Sequence, residues 1–97
     1  MNTYTVQDWH NDRDFKAQPG QKVEASIYWD MLCGVPPIYS NRDTFQVGEA
    51  HSHDHEGRPL YGTFTRRGED YYFIGYLRCS TDEIEKAKQT LIKEEEA

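Results

Sequence analysis

The clearest hydrophobic period begins at Gln21, where Val23, Ile27 and Met31 recur four residues apart with Tyr28, Leu32 and Val35 alongside. That spacing is one apolar face of a helix. Gly20 stands at its expected N-cap. Cys33-Gly34-Val35-Pro36-Pro37 ends it, because glycine readily takes the left-handed conformation past a helix end and proline cannot extend the ladder.

Beyond the turn-like Ser40-Asn41-Arg42-Asp43 the period shortens. Thr44–Ala50, Leu60–Arg66 and Tyr71–Cys79 are rich in aromatic and β-branched residues and predict three strands. Arg67-Gly68-Glu69-Asp70 reads as a hairpin between the last two. Ser80-Thr81-Asp82-Glu83 predicts a capping box, with Ile84, Ala87 and Leu91 as the stripe of a final helix. Glu94 to Glu96 oppose that helix's dipole, which predicts fraying at its end.

Residues 1–18 mix Tyr4, Val6, Trp9 and Phe15 with polar residues in no clear period, which predicts a loosely docked arm or an edge strand. The expected architecture is a single α+β domain over residues 1–97. It is a small three-stranded antiparallel meander with an N-terminal-side helix and a C-terminal helix packed on one face. Regular alternation along the last strand puts Phe73, Leu77 and Cys79 on one face, with Tyr72, Ile74 and Tyr76 on the other. Both sets are apolar or aromatic, so the face without helices is expected to receive the arm or a partner.

Composition narrows the function classes. With 36% hydrophobic and 29% charged residues, the 97-residue chain suits one folded domain. Its net charge of −6 opposes binding to a phosphate backbone, so nucleic acid is not an expected partner. No apolar run spans a membrane and the start lacks a signal-peptide pattern, which predicts a cytoplasmic protein. The two cysteines, Cys33 and Cys79, are expected to be reduced core thiols.

Three of the four histidines alternate in His51-Ser52-His53-Asp54-His55. On a strand, residues two apart are about 6.7 Å apart on one face, so a His-x-His pair can share a zinc or another divalent transition metal. His51 and His55 would be about 13 Å apart on a straight strand. A three-histidine site therefore requires a bend, which Gly57 and Pro59 permit, with Glu49, Asp54 or Glu56 completing the shell. The string resembles the His-x-His-x-Asp-His motif of metallo-β-lactamases but is one residue short, in a chain too short for that fold. No phosphate loop, nucleophile elbow or activated cysteine is present. The expected protein is a non-enzymatic, acidic protein-binding module that meets a protein partner or a second copy through Tyr61, Tyr72 and Tyr76 with Glu69 and Asp70. A metal-binding protein using His51, His53 and His55 is the alternative.

The stretch YWDMLCGVPPIY running into DTFQVGEAHSHDHEGRPLYGTFTRRGEDYYFIGYL resembles a loose group of short uncharacterised bacterial proteins of plasmids, prophages and other mobile elements. The likeness covers Ile27 to Leu77. It implies an accessory gene, and in that setting the module is expected to bind or inhibit a host protein such as a defence or nucleic-acid enzyme. It supplies no functional residue.

Overall fold

A computed structural model of the chain describes residues 2–96, apart from the side chains of residues 48–51 and 90–96. The element order is α1 (Val6–Asp12), β1 (Gln21–Val23), α2 (Ala25–Leu32), β2 (Tyr39–Asn41), β3 (Thr44–His53), β4 (Pro59–Arg67), β5 (Asp70–Leu77) and α3 (Thr81–Glu96). The class is α+β, as the sequence predicts. The sheet is larger than a three-stranded meander: five antiparallel strands in the order β1-β5-β4-β3-β2. Tyr4 adds an isolated parallel bridge to Val23 at the β1 edge.

The added strands correct the reading of residues 21–23. Gln21 to Val23 pair with Phe73 to Tyr71 as a strand, and the helix starts only at Ala25 behind Glu24, not behind Gly20. Val23 falls in step with Ile27 and Met31 because strand and helix both deliver it to one core. The expected stop holds, with Cys33 taking the left-handed C-cap at φ 51° and ψ 35°.

The N-terminal segment is a built part of the molecule rather than a loose arm. Thr5 caps α1 in a reciprocal box, its hydroxyl accepting from Asp8 N–H while the Asp8 carboxylate accepts from Thr5 N–H. Phe15 then packs edge-on to Phe73 at 5.0 Å and meets Tyr4 at 5.1 Å and Trp9 at 5.9 Å. Tyr28 of α2 stacks on Tyr71 at 5.0 Å and touches Phe64 and Phe45. These rings, with Val23, Ile27, Met31 and Leu32, form the main core on one face of the sheet.

A β-bulge decides what lies on the other face. Phe64 pairs with Phe73 but Thr63 pairs with Gly75, so Ile74 is an extra residue in β5. Beyond it the alternation reverses: Tyr76 shares the face of Phe73, its ring 5.2 Å away, and the expected grouping of Tyr76 with Tyr72 and Ile74 is corrected. The opposite face carries the buried Thr44, Gln46, Thr63, Thr65 and Ile74. It is covered by α3, which packs on β5, buries Ile84 completely and reaches β2 through Asn41 and Glu85. The helices therefore lie on opposite faces, not on one. The doubly apolar last strand reflects this sandwiching, and neither the arm nor a partner is needed to cover it.

At the head of α3 the expected box is altered. Glu83 reaches back to the Arg78 N–H at 3.2 Å. Leu91 and the end of α3 from Glu94 to Glu96 lie outside the described side chains.

Gly75 sits at φ +126°, a conformation that side chains with a Cβ rarely adopt, although a Cβ there would meet nothing closer than 3.9 Å. Gly75→Ala is therefore expected to destabilise through backbone strain rather than collision, by about 1–3 kcal/mol. Urea unfolding of the variant should show a lowered midpoint at an unchanged slope. An unchanged midpoint would mean that the bulge imposes no strain.

Candidate functional site

The histidine string spans a hairpin. The backbone of β3 runs extended through His51 to His53, and the chain reverses over residues 54–58 before Pro59 pairs with His53. The side chains of Glu49 and His51 lie outside the described residues. His53 is exposed at the strand end, and His55 stands in the turn with its side chain 86% exposed, 3.6 Å from Glu56. No three His, Cys, Asp or Glu side chains among the described residues form a metal-binding group.

Asp54, the carboxylate within the string, is engaged by its own loop. Its Oδ1 accepts from the N–H groups of Glu56 and Arg58, both at 2.9 Å. Its Oδ2 faces the guanidinium groups of Arg58 at 3.1 Å and Arg78 at 3.4 Å. The Asp54 backbone closes the turn by donating to Arg58 O and accepting from Gly57 N–H. With its side chain only 12% exposed, Asp54 is the peg around which residues 54–58 fold. The backbone hydrogen bond from Arg58 is the largest of the effects that hold its carboxyl below the ordinary range, helped by Glu56 N–H and by the Arg58 charge, against a smaller opposing effect of burial. A metal would have to displace these donors to use it.

The five expected interface residues do not form one surface. Tyr61 and Tyr72 lie on the α3 face, since Tyr61 alternates with Thr63 and Tyr72 pairs with Thr65. Tyr76 lies on the α2 face beside Phe73. Glu69 is in the hairpin turn, where Gly68 takes φ 61°, and Asp70 pairs with Lys22 across the sheet edge at 3.3 Å.

The most exposed large apolar side chains described lie elsewhere. Trp29 is 57% exposed, Val35 60% and Ile38 44%, and all three belong to α2 or its exit loop. Trp29, Leu32, Gly34, Val35, Pro36 and Pro37 line an open, mostly apolar notch of about 260 Å³. The indole leans on Tyr28 at 5.1 Å and on Tyr71 at 6.4 Å, which orders it while leaving its outer face open. Burial pushes the Tyr28 hydroxyl up to about 12, with Tyr71 adding and Arg66 opposing. The sequence carried one sign of this patch, the Pro-Pro step between Val35 and Ile38, although Val35 also fitted the apolar period of the helix before it. Both cysteines are free and exposed rather than in the core, and the Cys33 thiol donates to Asp30 O at 3.0 Å. Cys33 leaves the core because the left-handed cap turns it off the buried face of α2.

The Asp54 carboxyl binds protons less readily folded than unfolded, so it adds stability above its unfolded value, near pH 4. That contribution is lost as the pH falls through the lower native value. Protection of the Glu56 and Arg58 amides, measured against their intrinsic exchange rates, should therefore fall on acidification below about pH 4. In Asp54→Asn the same amides should be weakly protected throughout, with no fall in protection across this pH range; equal protection in both proteins would remove Asp54 from this role.

No helix among the described residues is long and apolar enough to cross a membrane. Compared with family models, curated proteins and solved structures, the chain matches none.

Proposed function

We propose that the chain is a small, acidic, non-enzymatic protein-binding module whose contact surface is the α2 exit rather than the hairpin tyrosines. The observation that carries this reading is the exposure of Trp29, Val35 and Ile38 within one short stretch. Single exposed apolar residues are ordinary, but a grouped set containing a tryptophan marks an interaction site. The indole is held from behind by two tyrosines, so little side-chain freedom is lost when a partner covers it.

The adjoining sheet edge supports the same reading. β2 pairs with β3 only as far as Gln46, with Ile38 N–H giving one more bond to Gln46 O. From Val47 onward no strand among the described residues pairs with the outer edge of β3. Unpaired backbone groups on such an edge can accept an extended segment from a partner. The net charge of −6 favours a partner with a basic surface, and in the accessory-gene setting implied by the resemblance that partner is a host defence or nucleic-acid enzyme.

The test is a triple Trp29→Ser, Val35→Ser, Ile38→Ser variant against Tyr72→Ala, each checked for an unchanged circular dichroism spectrum. Sedimentation and capture from a bacterial host should show the serine variant losing self-association or its partner. The affinity loss should be about 30-fold or more, as expected when a tryptophan anchor worth about 2 kcal/mol is removed. Tyr72→Ala should retain binding; a serine variant that binds like the parent protein would sink the proposal.

A further inference from the structure

A second cleft lies between the end of α1 and the sheet. Residues two apart on a helix project about 200° apart, so Met31 faces this cleft while Trp29 faces the outer patch. The cleft is half open, with Arg13 and Asp14 exposed at its rim, and its volume of about 530 Å³ is within the range of small-molecule sites. Trp9, Phe15 and Met31 supply its apolar lining, and Arg13, Asp14, Ser52 and Tyr76 its polar groups.

Two features set it apart. Among the described residues, no side-chain hydrogen bond or ion pair engages the Arg13 guanidinium, the Asp14 carboxylate or the hydroxyls of Ser52 and Tyr76. One cation, one carboxylate and two hydroxyls thus line one space without hydrogen-bond partners among the described residues. The second feature is the backbone. Arg13 has φ 67° and ψ −55°, and Asp14 N–H donates to Asp12 O at 2.7 Å. This is a γ-turn of the rare, strained hand, centred on a residue that is not glycine. The reversal lets two consecutive residues line the same cleft, whereas a strand would send them to opposite faces.

The opposite charges at Arg13 and Asp14 select the ligand. A simple organic anion would meet the Asp14 carboxylate, and a simple amine would meet the guanidinium. A zwitterion satisfies both. We propose that this cleft binds a free α-amino acid with an apolar or aromatic side chain, its carboxylate on Arg13, its ammonium on Asp14 and its side chain against Trp9 and Met31. The Ser52 and Tyr76 hydroxyls complete the carboxylate's shell. Burial, with a smaller contribution from Asp14, pushes the Tyr76 hydroxyl above its ordinary value, which keeps it a proton donor.

Trp29→Phe leaves Trp9 as the only tryptophan, so indole fluorescence then reports on the cleft alone. The probes are L-phenylalanine, 3-phenylpropanoate, which lacks the ammonium, and phenethylamine, which lacks the carboxylate. L-phenylalanine is expected to saturate with a Kd of about 1 mM or below, and each truncated probe to bind at least about tenfold more weakly. Arg13→Gln should weaken L-phenylalanine while sparing phenethylamine. Asp14→Asn should weaken L-phenylalanine while sparing or improving 3-phenylpropanoate. No saturable response to L-phenylalanine up to about 10 mM overturns the proposal, as do three probes that bind alike. The probe series uses a protein intact at Arg13 and Asp14, so it decides the question even where a charge variant fails to fold.

Discussion

The extra residue at Ile74 governs how the sheet divides its side chains. A regular β5 would place Phe73 opposite Tyr76 and give each face a mixture of large rings. The bulge instead keeps Phe73 and Tyr76 together on the α2 side and sends Ile74 toward α3. The ring-rich face is thereby joined to Phe15, Tyr28 and Phe64, while the buried part of the other face keeps three threonines beside Gln46 and Ile74, on which α3 can lie close. Gly20 N–H donates to Phe73 O at 2.7 Å, so the bend before β1 is also seated where the bulge begins. The register of the N-terminal half thus depends on an irregularity in the C-terminal half.

The α3 face is held by polar contacts as much as by apolar burial. The Gln46 amide is fully buried and its two N–H hydrogens are shared among Leu77 O, Arg78 O and the Thr63 hydroxyl, with the nitrogen 3.0–3.1 Å from each. With every partner an acceptor, the amide orientation is fixed. Arg78 is the common point: Gln46 holds its carbonyl, Glu83 its N–H and Asp54 its guanidinium. The histidine hairpin, β3 and the start of α3 therefore meet at one residue. This gives the acidic residue of the histidine string a structural task, and truncating any partner buried there leaves polar groups to be re-satisfied.

What the sequence disclosed follows from which features are local. The stop after α2, the three long strands and the head of α3 are all marked by residues adjacent in sequence, and each forms close to its expected bounds. The first strand, Gln21 to Val23, was hidden because Val23 fits the helical period of Ile27 and Met31. The bulge at Ile74 was hidden because both possible alternations of an aromatic strand read as apolar. α1 carried a local mark in the Thr5–Asp8 pair, but an Asp rather than a Glu at the third helical position and the lack of an apolar stripe obscured it. Exposure at Trp29, Val35 and Ile38 depends on where the neighbouring elements end, which spacing alone does not encode. The same holds for the cleft, whose polar residues come from α1's exit and from strands far along the chain.

Backbone strain separates the cleft from the other irregular places in the fold. Among the described residues, three that are not glycine have positive φ: Arg13, Cys33 and Arg42. Cys33 lies in the ordinary left-handed well at a helix end, where a reversal of this kind satisfies the last carbonyls. Arg42 lies in the two-residue turn between Asn41 and Thr44, where positive φ matches the twist of the strands. Both follow from the element they terminate. Arg13 does not, because its ψ of −55° takes it out of that well and α1 could end with a glycine at lower cost. An arginine is tolerated there only where the tertiary setting over-determines it, and that setting is the aromatic lock of Trp9 and Phe15 on the sheet. The lock fixes both ends of the turn, so the conformation is held before any ligand arrives and the two charges are presented without further ordering.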